Sequence, residues 1–207
     1  MTKVETHPEI RDAIRKLCGR FPGQYWRALD RERAYPKDFV NALTEAGWLS
    51  VLIPEQYGGA GLGIGAACAV LEEIHRSGAN GAACHAQMYT MGTLLRHGSD
   101  AQKEKWLPKI ASGEVRLQAF GVTEPTSGTD TTRIQTFAKK VGDKYVVNGS
   151  KIWISRAEHS DLMILLCRTS QRDEAGKASD GMSVLLVDMR EAKGKGLTIK
   201  PVRTMLN

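Results

Sequence analysis

Apolar positions recur with a helical period through the first half of the chain and with a period near two through the second. Ile10, Ile14 and Leu17 share one face of a helix predicted over Pro8–Arg20. Phe39, Val40, Leu43 and Ala46 line another, which starts at Pro36, a residue suited to a first helical turn, and stops at Gly47. A short apolar run, Trp48–Pro54, leads into a glycine-rich loop over Tyr57–Gly65. The stretch Ala66–Ser77 is amphipathic, with Val70, Leu71 and Ile74 inward and Glu72, Glu73 and Arg76 outward. Ala82–His97 is apolar on nearly every side, the mark of a helix buried inside its domain or against another subunit. Ser99 and Gln102 are spaced as a capping box, and the helix they open carries Trp106, Leu107 and Ile110 to a stop at Gly113.

Near Glu114 the period changes. Arg116–Val122 alternates as a strand, and Ile134–Val141 and Lys144–Val147 are strand-like on either side of Gly142-Asp143, a pair suited to a hairpin turn. Asn148-Gly149 is a second hairpin signal and feeds Lys151–Ser155. Asp161–Arg168 and Met182–Asp188 are further strands joined by a polar, exposed loop, Ser170–Asp180, and Gly196–Lys200 starts another. The expected fold class is therefore α+β: an N-terminal all-helical domain over residues 1–115, then an antiparallel β-barrel-like domain over 116–207. Arg203–Asn207 interrupts a strand just begun, and the sequence reads as unfinished.

Composition narrows the classes without choosing one. With 42% hydrophobic and 25% charged residues the chain has the make-up of a soluble globular protein, and its net charge of +6 suits a polyanionic small ligand. No basic run is long enough for a nucleic-acid arm, no apolar stretch approaches a membrane span, and the polar N-terminus is not a signal peptide. Cys18, Cys68, Cys84 and Cys167 form no C-x-x-C pair; buried reduced thiols are expected, which favours a reducing compartment and a cytoplasmic location. His75, His85, His97 and His159 lack metal-ligand spacing, so no metal site is expected. No G-x-S-x-G elbow is present, and Asn148-Gly149-Ser150 is better explained as a tight turn than as a glycosylation sequon. Gly61–Ala66 fits a dinucleotide-binding glycine pattern. However, Pro54 and the polar or small residues after it separate the loop from any strand, and no carboxylate follows about 20 positions on, so a mobile connection between helices is expected.

Two stretches concentrate the candidate chemistry. Phe120–Asp130 begins as a strand and breaks at Glu124-Pro125 into a loop that crowds Thr123, Thr126, Ser127, Thr129 and Asp130 around Gly128. Such a loop presents backbone amides to a heterocycle or a phosphate, or else its side chains satisfy their own backbone as in any surface loop. In Lys151–Ser155, Trp153 offers a flat face for stacking or an aromatic packed in a sheet. Ser155 donates a hydrogen bond to a ring nitrogen or merely ends a strand.

Four ordered motifs spread over the chain resemble the acyl-CoA dehydrogenase family. They are Ile53-Pro54-Glu55-Gln56-Tyr57-Gly58-Gly59, Gln102-Lys103-Glu104-Lys105-Trp106-Leu107-Pro108, Val122-Thr123-Glu124-Pro125 with Gly128-Thr129-Asp130, and Asn148 through Ser155. The resemblance implies a flavoenzyme with a helical N-terminal domain, a middle β domain and a helical C-terminal domain, the last missing here. It implies FAD bound by Phe120, Val122, Thr123, Gly128, Thr129, Trp153, Ile154 and Ser155, with the Ser155 hydroxyl at flavin N5 and Thr129 also near the acyl-CoA substrate. Two departures stand out: Thr129 adds a methyl to the usual serine, and Arg156-Ala157-Glu158 replaces a more usual Asn-Gly pair, placing a charge beside the pocket.

The implied reaction is α,β-dehydrogenation of an acyl-CoA thioester, with electron-transfer flavoprotein or a similar acceptor and a homo-oligomer when full length. The base is a carboxylate that the family usually carries on the C-terminal domain. Glu55, Glu72, Glu124 and Glu158 stand in no motif that would replace it, so no catalytic residue is assigned. A non-catalytic partner subunit, or an acyl-CoA oxidase or flavin monooxygenase relative, stays open.

Overall fold

The structure, a computed structural model, describes residues 6–172 and 176–202. They form two compact units, the first ending at Arg116 and the second spanning Leu117–Val202. The first is built of helices α1 (Pro8–Cys18), α2 (Gly23–Glu32), α3 (Lys37–Glu45), α4 (Ile64–Arg76), α5 (Ala82–His97) and α6 (Asp100–Ser112). Its core gathers Ile14, Phe39, Leu43, Leu49, Val70 and Ile74 from α1, α3, α4 and the turn after α3. Pro36 stands one position earlier than expected, as the N-cap of α3.

Periodicity did not reveal α2, because none of its residues is fully buried. Aromatic edges hold it instead. Trp26 lies edge-on to Phe39 at 4.9 Å between ring centres, Tyr25 meets Phe21 at 5.1 Å, and the Tyr25 hydroxyl accepts the Phe39 amide. The other surprise is Glu73, expected to face outward but fully buried. Its carboxylate accepts hydrogen bonds from Arg11 at 3.2 Å and Arg15 at 3.0 Å on α1, and from Arg76 one turn on at 3.2 Å. Three guanidinium groups thus replace the water that a buried carboxylate loses.

Trp48–Ser50 and Glu55–Tyr57 are 3-10 turns, and the glycine-rich loop folds back on the segment between them. The amides of Ala60, Gly61 and Leu62 donate to the carbonyls of Ser50, Ile53 and Val51. The loop is therefore pinned rather than the mobile connection expected, and those three amides are not free for a phosphate. Glycine at 59 permits the close approach, since a Cβ there would collide with the Ile53 carbonyl oxygen. Ser99 and Gln102 form the predicted capping box, and α6 ends on Gly113 at φ 79°.

The second unit contains β1 (Leu117–Gly121), β2 (Phe137–Val141), β3 (Lys144–Asn148), β4 (Leu162–Arg168), β5 (Met182–Asp188) and the short α7 (Met189–Ala192). The β2–β3 hairpin turns at Gly142-Asp143 as predicted, and β4 pairs antiparallel with β5 from Leu162↔Asp188 to Arg168↔Met182. Two expectations need correction. β4 runs parallel to β1 and, through Phe137↔Arg168, to β2, so the sheet is mixed rather than antiparallel. It is also open: among the described residues no pairing closes the order β1-β4-β2-β3 into a barrel. The parallel pairing of β1 with β4 follows from the long crossover between them, which returns the chain in its starting direction.

Neither Lys151–Ser155 nor Gly196–Lys200 is a strand. Trp153 at φ 62° and Arg156 at φ 60° turn the first out of extended geometry, and Leu197 forms only an isolated bridge with Lys193. Arg203–Asn207 lies outside the described residues, as does 173–175 of the loop after β4. The core of this unit is formed by Ala119, Ala138, Met163, Leu165, Cys167 and Met189. Cys18, Cys84 and Cys167 are buried as expected, while Cys68 is exposed on α4.

Candidate functional site

The two candidate stretches meet at the end of β1. There the Ile152 amide donates to the Thr123 carbonyl at 2.9 Å, and the Lys151 ammonium donates to the Val122 carbonyl at 2.9 Å. Lys151 also reaches the Glu124 carboxylate at 2.8 Å, the two side chains being only 8% and 4% exposed. Glu124 in turn accepts the amides of Gln135 at 2.7 Å and Thr136 at 2.9 Å, just before β2. Its own backbone closes a tight turn over Pro125-Thr126, exchanging amide-to-carbonyl bonds with Ser127 in both directions. Burial pushes the Glu124 carboxyl up, but the Lys151 ammonium and the Gln135 and Thr136 amides outweigh it, and the pKa falls to about 2.

Inside the loop the polar groups divide into two sets. The Ser127 hydroxyl donates to the Asp130 carbonyl at 2.6 Å, and the Asp130 carboxylate accepts the Thr132 amide at 3.1 Å. These groups satisfy the loop itself. By contrast, the loop's backbone hydrogen bonds do not use the amides of Thr126, Gly128 and Thr129. Gly128 and Thr129 are exposed, and a Cβ at 128 would meet nothing within 4 Å.

Phe120 on β1 is half-buried and pairs with Ile164, and Val122 and Thr123 follow it half-buried. Ile154 packs on the β core, whereas Ser155 is exposed. Trp153 is 65% exposed and holds a left-handed backbone conformation that costs a bulky residue of order 1–3 kcal/mol. The side chains of Thr123, Trp153 and Ser155 make no hydrogen bond to any described residue. The structure therefore brings Thr123 together with the Lys151–Ser155 segment. It shows no hydrogen bond from Gly128 or Thr129 to that segment. An exposed indole and two uncommitted hydroxyls, beside a frame closed by the Lys151–Glu124 pair, fit a planar heterocycle with polar edges.

Comparison with known proteins decides the family. The acyl-CoA dehydrogenase N-terminal domain model matches residues 4–114, and the middle domain model matches 119–206. The chain belongs to the acyl-CoA dehydrogenase family. A glutaryl-CoA dehydrogenase of Desulfococcus multivorans is 36% identical over 192 residues, covering 90% of this chain and 47% of that protein. The mitochondrial isovaleryl-CoA dehydrogenase of Pongo abelii is 33% identical over 189 residues, covering 89% and 44%. Among solved structures, an acyl-CoA dehydrogenase from Geobacillus kaustophilus superposes with a TM-score of 0.81 at 29% identity, over 90% of this chain and 49% of that one. The chain thus spans about half the length of the family members it matches.

Residue-type reasoning missed the frame under these two stretches. Lys151 was read only as part of a motif, and Glu124 only as a loop breaker, a motif residue and a carboxylate unsuited to serve as the base. Lys151 is the one cation of its stretch, and a carboxylate in the neighbouring stretch, Glu124 or Asp130, was the signal for a pair. Arg168 was missed as well. Its buried guanidinium donates to the carbonyls of Thr132, Ile134, Ala178 and Asp180, tying the end of β4 to the loops on either side.

Proposed function

We propose that this chain is the N-terminal and middle part of an FAD-dependent acyl-CoA dehydrogenase, and that its second unit holds the flavin. FAD supplies the two-electron acceptor for α,β-dehydrogenation of the acyl thioester. Trp153 offers the ring a flat apolar face. Thr123 and Ser155 direct hydroxyls at its polar edge, and the amides of Gly128 and Thr129 serve its phosphate-bearing tail, Thr129 also lying toward the substrate. Phe120, Val122 and Ile154 supply the apolar floor. Electron-transfer flavoprotein, or an acceptor like it, is the proposed electron partner, and the full-length enzyme is proposed to be a homo-oligomer.

Glu124 does not serve as the base that removes the α-proton. It is buried and engaged by three donors, and its pKa near 2 leaves it a weak proton acceptor. No other carboxylate of this chain is assigned that role.

The observation that carries the proposal is the exposed, left-handed Trp153, next to Ile152, whose amide is bonded to Thr123, with no hydrogen bond of its own side chain to any described residue. Titration of the purified chain with FAD, read by flavin fluorescence and the visible spectrum, is expected to show saturable binding. Ser155→Ala should weaken it by about 1 kcal/mol, roughly fivefold in Kd, since one donor is lost. Absence of saturable binding would overturn the proposal, and so would Ser155→Ala and Trp153→Ala variants that both titrate like the wild type.

A further inference from the structure

We infer that Lys151, acting through Glu124, is a positioning residue that sets the spacing between the two halves of the site; the inference rests on the flavin reading above. Three segments converge on this one ion pair. The Lys151 ammonium holds the Val122 carbonyl at the end of β1, and the Glu124 carboxylate holds the Gln135 and Thr136 amides at the entry to β2. The backbone of the next residue, Ile152, is fastened to Thr123.

Two anchors one residue apart therefore fix both the depth and the rotation of the segment from which Trp153 and Ser155 project. The stem of Lys151 runs over Gly121, where an added Cβ would lie 3.6 Å from its Cγ and 3.1 Å from the Met163 sulfur. The space above β1 is thus already filled by the lysine stem and the core.

Stability alone does not account for the pair. A buried ion pair replaced by apolar side chains of similar volume is often neutral or stabilising. An apolar pair, however, cannot hold a carbonyl on one side and two amides on the other. What the ions add is a set of directed bonds that leaves the segment one height above Thr123. A ring gripped by Thr123 from one stretch and by Trp153 and Ser155 from the other needs that height fixed before it binds.

The decisive variant is the double Lys151→Met/Glu124→Gln, which removes the ion pair and the Lys151 bond to the Val122 carbonyl without leaving a buried unpaired charge. Lys151→Met alone leaves the Glu124 carboxylate buried without its cation and is the secondary variant. Hydrogen exchange of the uncomplexed chain and FAD titration are read on the same preparations. In the double variant the β4–β5 amides should keep their protection, while the Ile152 amide exchanges at least about tenfold faster. FAD affinity should fall by about tenfold or more, with a shifted visible spectrum in the complex that remains. Unchanged Ile152 protection together with unchanged FAD affinity would overturn the positioning role and leave the flavin reading intact. A wild-type chain that takes up no FAD would overturn the flavin reading and this role with it.

Discussion

Glu124→Gln is expected to weaken the second unit strongly at neutral pH and hardly at all near pH 2. In the folded chain the Glu124 pKa is about 2, against an ordinary value of 4.5. A depressed carboxyl pKa means that the folded state prefers the ionised form. The stability it contributes is therefore fully present above pH 4.5 and is lost as pH falls through about 2. At 1.36 kcal/mol per pKa unit, the pH-dependent part comes to about 3 kcal/mol. Removing the carboxylate also strands the Lys151 ammonium, which is 8% exposed, and breaking one side of a buried pair costs about 3–5 kcal/mol. The two figures describe the same interaction from its two partners and are not additive.

The assay is urea unfolding of the full chain followed through the amide resonances of Ile164 and Leu165 in β4, so that the second unit reports for itself. Unfolding free energies of wild type and variant should differ by about 3 kcal/mol at pH 7, and the gap should close progressively between pH 4.5 and 2. A gap that stays the same at pH 2 and pH 7 would refute the linkage. A variant as stable as the wild type at pH 7 would refute the ion pair's place in the fold.

Three further outcomes test the helical unit. Phe39→Ala removes a 1%-exposed ring that Phe21 and Trp26 meet edge-on, and should destabilise the unit by about 3–5 kcal/mol in thermal or urea unfolding. Arg33 caps α2 at φ 54°, so Arg33→Gly should raise stability by up to about 1 kcal/mol; a loss would show that its side chain matters more than its backbone. Ser99→Ala deletes the hydroxyl that accepts the Gln102 amide and should cost about 1 kcal/mol, read as a lower unfolding midpoint of the α6 amides.

The helices of the first unit were legible because α1, α3, α4 and α6 bury a stripe that the sequence spells out, because α5 is apolar on nearly every side, and because their stops are glycines such as Gly113. Strands β1 and β4 were legible for the same reason, and β2 and the fully exposed β3 through the Gly142-Asp143 hairpin signal between them. The candidate site was legible as two stretches of unusual composition and as a family resemblance, which the matching domain models then confirmed as to family. Side-chain periodicity reports only which face of an element is buried. It carries no information on strand direction, so the parallel pairing of β1 and β4 lay beyond it. It also misjudges a charged residue whose partners come from elsewhere in the chain: Glu73 reads as solvent-facing until Arg11 and Arg15 arrive from 58 to 62 positions away.

Lys151–Ser155 shows the same division most sharply. Its sequence alone specified a strand-like segment fed by a hairpin turn. Packing against Thr123 and the Lys151–Glu124 pair made it instead an irregular ledge, with Trp153 in a backbone conformation that local preference opposes. Local chemistry thus determined which residues of this protein are apolar, hydroxylic or turn-forming. The long-range hydrogen bonds and buried ion pairs, which exist only once distant segments meet, decided which of those residues remain free to hold a ligand.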